Sequence, residues 1–196
     1  MDSTVLYFHG FKSSSDSSKA RQFKNFVADN TSNTKVIIPD LKDDFRMAFK
    51  QIKNLVKESG SNIHFVGSSL GGYYASFFAN KNKCKCVLIN PAIPPLKDFD
   101  IYLGENENYD TKKKFLIKKD DIEFLRSKKY IKNHENMLIL LESGDEVLDF
   151  HECISFYKGC FVDVFFGGDH SFVSFNSKLL KISNFLDLNS VSYTHL

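Results

Sequence analysis

The chain has 196 residues, a length that suits one domain around one core. With 42% hydrophobic and 26% charged residues it reads as a globular chain, and its formal charge of +2 is too small to argue for nucleic acid as a partner. No apolar run approaches the ~18 residues that a membrane span needs, and Met1–Gly10 lacks the basic start and long apolar stretch of a signal peptide.

The first strand is predicted at Thr4–Phe8, a run of strand formers. His9-Gly10-Phe11 follows it. In a hydrolase this position supplies an oxyanion donor, and the backbone N–H of Phe11 is the candidate. Gly10 lets the main chain turn, and the His9 ring is read as a holder of the loop through hydrogen bonds. Residues 12–18 form a serine-rich loop that leads into a helix capped by Asp16 or a nearby serine, with Phe23, Phe26 and Val27 on one face. A second strand, Lys35–Ile38, stops at Pro39-Asp40. A second helix follows, with Phe45, Phe49, Ile52 and Val56 at helical spacing, and ends at Ser59-Gly60.

The third strand, Ile63–Val66, runs into Gly67-Ser68-Ser69-Leu70-Gly71 and then a helical pattern over 73–80. Strand, Gly-x-Ser-x-Gly, helix is the order of a nucleophile elbow, a turn tight enough to strain the serine backbone. Such a turn places Ser69 at the C-terminal edge of the sheet, where open α/β sheets build their sites. The N–H of Leu70 then lies in the first helical turn, where it can donate to an oxyanion. Alone, the pattern also describes an ordinary glycine–serine turn, so its meaning depends on partners elsewhere. Tyr73 and Tyr74 are read as core.

A fourth strand, Cys84–Ile89, exits through Asn90-Pro91-Ala92-Ile93-Pro94-Pro95. Of the four cysteines, Cys84 and Cys86 would share a strand face. No second pair stands at zinc-ligand spacing, so all four are read as thiols in a reducing compartment, with no metal and no cofactor called for. Residues 102–136 carry nine basic and seven acidic side chains and no strong strand run. They are read as a helical lid inserted over the site, spanning about 99–135, with a solvated surface of mixed charge.

The fifth strand, Met137–Leu141, is followed by Glu142-Ser143-Gly144-Asp145-Glu146-Val147-Leu148-Asp149. A carboxylate just past this strand suits the acid of a triad. Asp145 is the choice, Glu146 its nearest rival, and Asp149 a cap for the next helix. After the sixth strand, Val162–Phe166, His170 stands on the glycine-rich run Gly167-Gly168-Asp169-His170, with Asp169 read as a loop cap. A last helix covers 173–186. His64, His134, His151 and His195 lack a comparable setting. The alternation predicts an α/β domain with six mostly parallel strands in the order 2-1-3-4-5-6 and helices on both faces.

Ser69, Asp145 and His170 occur in the order nucleophile, acid, base, each after its own strand. That order separates the α/β-hydrolases from other serine-triad folds. The reading is a serine hydrolase that works through an acyl-enzyme, with Phe11 and Leu70 as oxyanion donors. The competing reading is a non-catalytic module that binds a partner through its lid.

The chain also resembles a known family over most of its length. The residues that carry the likeness are Leu6–Phe11 with the serine loop, Val66–Ala75, Asn90-Pro91-Ala92, Tyr102–Asn108, Gly144–Asp149 and Gly167–Phe172. They are similar to the YqiA/YcfP-like esterases, a bacterial family of small α/β-hydrolases. The resemblance implies a cytoplasmic carboxylesterase acting on short-chain esters or acyl thioesters. Separately, a monomer or weak homo-oligomer is expected. Family members often carry asparagine where Asp169 stands.

Overall fold

The computed structural model describes residues 3–128 and 134–188. Strand β1 (Ser3–Phe8) leads to α1 (Ser18–Asn30), β2 (Thr34–Ile37), α2 (Phe45–Glu58), β3 (Ile63–Ser68), α3 (Leu70–Asn82) and β4 (Cys86–Ile89). There the simple alternation breaks. A 3-10 turn (Lys97–Tyr102), strands β5 (Gly104–Glu107) and β6 (Lys114–Ile117), and helix α4 (Lys119–Arg126) intervene. Strand β7 (Met137–Glu142), α5 (Phe150–Phe156), β8 (Phe161–Phe165) and α6 (Phe175–Phe185) complete the order.

Six strands form one sheet in the order β2-β1-β3-β4-β7-β8, with every neighbouring pair parallel. This is the expected 2-1-3-4-5-6 order once the two inserted strands are passed over. The central strands read as continuous apolar runs because helices cover both of their faces. Leu6, Phe8, Phe65, Leu88 and Ile139 pack towards α2 and α3. Their alternates Val5, Tyr7, Val66, Val87 and Leu140 pack towards α1 and α6. Each such side chain contributes roughly 1.5–3 kcal/mol when fully buried. Helix α2 forms where Phe45, Ala48, Phe49 and Ile52 bury one stripe, and Asp44 caps it by accepting the Met47 N–H at 2.8 Å. Tyr73 and Tyr74 are buried core.

Two expectations need correction. The insertion is not purely helical: β5 and β6 form an antiparallel hairpin, pairing Glu105 with Leu116 and Asn106 with Phe115. Gly-Glu-Asn-Glu carries no apolar alternation, so β5 gave no strand signal; a side-chain amide ties it to the turn before it. Buried Asn106 donates to the carbonyls of Tyr102 (2.7 Å) and Gly104 (3.1 Å). Residues 129–133 of the expected lid lie outside the described residues, as does His195. The fourth strand begins at Cys86, so Cys84 sits in the turn before it rather than on a shared face. Cys86 and Cys153 are buried, and Cys84 and Cys160 half-buried. No described helix is long and apolar enough to cross a membrane.

Candidate active site

The turn from β3 to α3 has the geometry its glycines foreshadow. Ser69 holds φ 54° and ψ −123°, a strained backbone for a residue with a Cβ. A Cβ on Gly67 would lie 2.2 Å from the Gly71 carbonyl oxygen, and one on Gly71 would lie 2.1 Å from that of Phe8. Only glycine lets the helix start this close to the strands. The Ser69 N–H donates to Ile89 O at 3.0 Å, and its carbonyl accepts the Ala92 N–H at 3.0 Å, which fixes the elbow to the exit of β4.

Ser69, Asp145 and His170 follow β3, β7 and β8, and the structure brings them together. His170 Nε2 stands 3.2 Å from Ser69 Oγ. His170 Nδ1 lies 2.8 and 2.9 Å from the two Asp145 oxygens. A carboxylate only accepts, which assigns the ring proton to Nδ1 and leaves the Nε2 lone pair facing the serine hydroxyl. The Asp145 side chain is 2% exposed, and its Oδ1 also accepts the N–H groups of Val147 and Leu148 at 2.8 Å each. Glu146, the rival acid, instead accepts the His170 backbone N–H at 3.0 Å. Asp149 caps α5 through the His151 N–H, and Asp169 accepts from the Ser171 hydroxyl.

Among the described residues, the Phe11 and Leu70 N–H groups have no protein acceptor. The loop that carries Phe11 is held from two sides. On one side, the buried His9 ring places Nδ1 2.9 Å from Gly10 O and accepts the Leu41 N–H on Nε2 at 3.1 Å. Burial first, set against Gly10, Asp40, Asp110 and Asp43, lowers the pKa of this imidazole and keeps it neutral. On the other side stands the insertion. The Phe11 ring meets Tyr102 at 4.9 Å, Phe99 at 5.2 Å, Phe115 at 5.9 Å and Phe45 at 6.1 Å. Asn108 Nδ2 and the Tyr109 N–H donate to Ser13 O (3.0 Å) and Lys12 O (2.7 Å).

A cavity of about 800 Å³ opens over Ser69 and His170. Its apolar lining includes Phe11, Ile93, Leu96, Phe99, Leu148 and Phe156, with Lys97, Asp98, His151 and Glu152 at polar positions. Of the described basic residues in the 102–136 insertion, none lines it. Sequence reasoning missed two buried polar residues beside the site. Glu142, 0% exposed, accepts backbone N–H groups of the His170 loop, and Asn90, 2% exposed, donates to the Asp169 carbonyl. The available signal was a charged residue closing the apolar run of β7, at the sheet edge where the site forms.

A parallel sheet with helices on both faces and a serine elbow after its third strand defines an α/β-hydrolase fold. The chain belongs to the family described as "Uncharacterised protein family (UPF0227)", whose profile matches residues 4–187. Solved structures with the same fold include Est1E from Butyrivibrio proteoclasticus with ferulic acid bound, with a TM-score of 0.74 at 14% identity over 95% of this chain and 89% of that one. The mouse alpha/beta hydrolase domain-containing protein 10 superposes with a TM-score of 0.70 at 16% identity, over 94% and 89%. A structure from work on the metagenome-derived lipolytic enzymes LipS and LipT gives 0.65 at 14% identity, over 94% and 93%. At these identities the likeness speaks to the fold.

Proposed function

We propose that this chain is a cytoplasmic serine carboxylesterase that hydrolyses short-chain esters or acyl thioesters through an acyl-enzyme. One observation carries the reading: a hydroxyl, an imidazole and a buried carboxylate in hydrogen-bonding series at the floor of an apolar cavity. In this scheme Ser69 Oγ attacks the acyl carbonyl while His170 Nε2 takes its proton. Asp145 holds the tautomer and stabilises the imidazolium. The tetrahedral oxyanion is received by the N–H groups of Phe11 and Leu70, where losing one donor typically costs about 3–4 kcal/mol of barrier. His170 then protonates the leaving alcohol or thiol, and a water, activated by the same imidazole, releases the acid and restores Ser69. The apolar lining suits an acyl chain, and the insertion serves as the cavity's wall. The bound ferulic acid of Est1E and the lipolytic character of LipS and LipT support an ester as substrate.

The test is a fluorophosphonate probe together with p-nitrophenyl ester and acyl-CoA series. Wild type is expected to label and to turn over at least the esters, and Ser69→Ala to do neither. Labelling that survives Ser69→Ala overturns the assignment.

A further inference from the structure

His170 rides on a loop that belongs to no strand or helix. Gly167 (φ 103°) and Gly168 (φ 74°) open it, and α6 begins only at Phe175. A segment of this kind swings unless something fixes it, yet the reaction proposed above needs its imidazole to stay in line with two partners. Glu146 accepts the His170 N–H itself, and the groups on either side of it are fixed by Glu142, the last residue of β7. Its Oε2 accepts the N–H groups of Asp169 (2.8 Å) and Val173 (3.1 Å), and its Oε1 accepts that of Ser174 (2.7 Å). A Cβ on Gly168 would lie 1.9 Å from Glu142 Oε2, so the glycine is what lets the loop close over the carboxylate.

The clasp has a second member. The Glu142 N–H donates to Asn90 Oδ1 at 2.9 Å, and Asn90 Nδ2 donates to Asp169 O at 3.1 Å. From outside, Lys19 Nζ on α1 donates to Ser171 O at 2.6 Å. These bonds grip residues 169, 171, 173 and 174, on both sides of His170, without touching its ring.

We propose that Glu142, with Asn90, is a positioning residue: a buried carboxylate clasp that aims His170 at Ser69 while Asp145, three positions further along the chain from Glu142, takes the other ring nitrogen. The clasp rests on the esterase reading. Its chemistry explains the residue type. An apolar side chain here would strand three N–H groups. Glutamine would keep the shape but offer one oxygen where two oxygens now accept three N–H groups, and would turn its own donors on the remainder. Because Glu142 and Asp145 leave one strand end together, the acid and the anchor of the base share one rigid origin.

Glu142→Gln tests this. A displacement of ~1 Å at a reacting group costs on the order of 100-fold. The expected result is therefore a kcat lowered about 10- to 100-fold with KM within about twofold, and a matching fall in the fluorophosphonate labelling rate, at unchanged far-UV circular dichroism. The low-field proton resonance of the His170 Nδ1–H is expected to broaden or vanish in Glu142→Gln and to persist in Ser69→Ala. A folded Glu142→Gln with wild-type kcat and an intact resonance overturns the proposal. Should that variant fail to fold, Asn90→Asp, which keeps the acceptor for Glu142 and loses the donor to Asp169, is read by the same kcat and resonance criteria. A wild type that turns over no ester defeats the esterase reading instead. The resonance in wild type and variant then still reports whether the clasp aims the ring.

Discussion

At Asp145, replacing one atom separates orientation from bulk. Oδ1 accepts from Val147, Leu148 and the His170 ring, while Oδ2 faces the ring alone. Asp145→Asn keeps its oxygen on the two main-chain N–H groups and turns its amide N–H towards Nδ1. The ring is then driven to the tautomer with its proton on Nε2, which donates to Ser69 instead of accepting from it. The expected outcome is a kcat lower by about 10³–10⁴-fold with KM little changed, read by steady-state kinetics on a p-nitrophenyl ester. A loss under about tenfold would show that Asp145 does not set the tautomer. These residues were legible in the sequence because each follows a strand that announces itself by apolar content. Glu142 was less so: local pattern marks a charge closing an apolar strand, but not that it accepts main-chain N–H groups from a loop 27 or more positions away.

Among the elements, the inserted segment is where the sequence said least and where the cavity gets its outer wall. Strand β5 is polar and short, so neither periodicity nor propensity marks it; the hairpin is paired through its main chain, with Asn106 tied to the turn before it and Asn108 Oδ1 accepting the Asp110 and Thr111 N–H groups in its connection. The sheet, by contrast, was legible down to its strand order, because buried parallel strands must be apolar throughout. One side chain fastens the insertion to the wall. From the end of α4, Arg126 reaches Pro95 O at 3.0 Å, Leu96 O at 2.8 Å and both oxygens of Asp100. Its hydrogen bond holds the Asp100 carboxyl below the usual range. An exposed ion pair alone contributes little, but the fork also satisfies carbonyls of the turn that presents Leu96 and Phe99 to the cavity. Arg126→Lys keeps the charge and loses the fork. KM for a p-nitrophenyl ester is expected to rise about 3- to 10-fold, with kcat within about twofold. An unchanged KM would mean that this wall does not need its clasp.

For the molecule as a whole, several buried and hydrogen-bonded groups give acid a single direction of effect. Burial lowers the pKa of His9 and, with Lys85 acting in the same sense, that of His64, whose Nδ1 has no hydrogen-bond partner among the described residues. The Ser15 N–H, at 2.7 Å, holds the Asp40 carboxyl below its usual range. Asp163, despite burial acting the other way, is held low by Lys181 and Lys178. In all four the folded chain binds protons less readily than the unfolded one. The stability they contribute is therefore present above the unfolded values and is lost as pH falls, beginning near 6.5 for the histidines and lower for the carboxylates. His9 links this to the site. Protonating Nε2 sets a donor against the Leu41 N–H, and the turn that carries the proposed Phe11 donor loses one of its two supports. The expected outcome is a urea midpoint that falls from pH 7.5 to 5.5, and falls less in His64→Leu, which removes one group remote from the cavity. If His64→Leu leaves the midpoint's pH dependence unchanged, the histidine is not linked to folding.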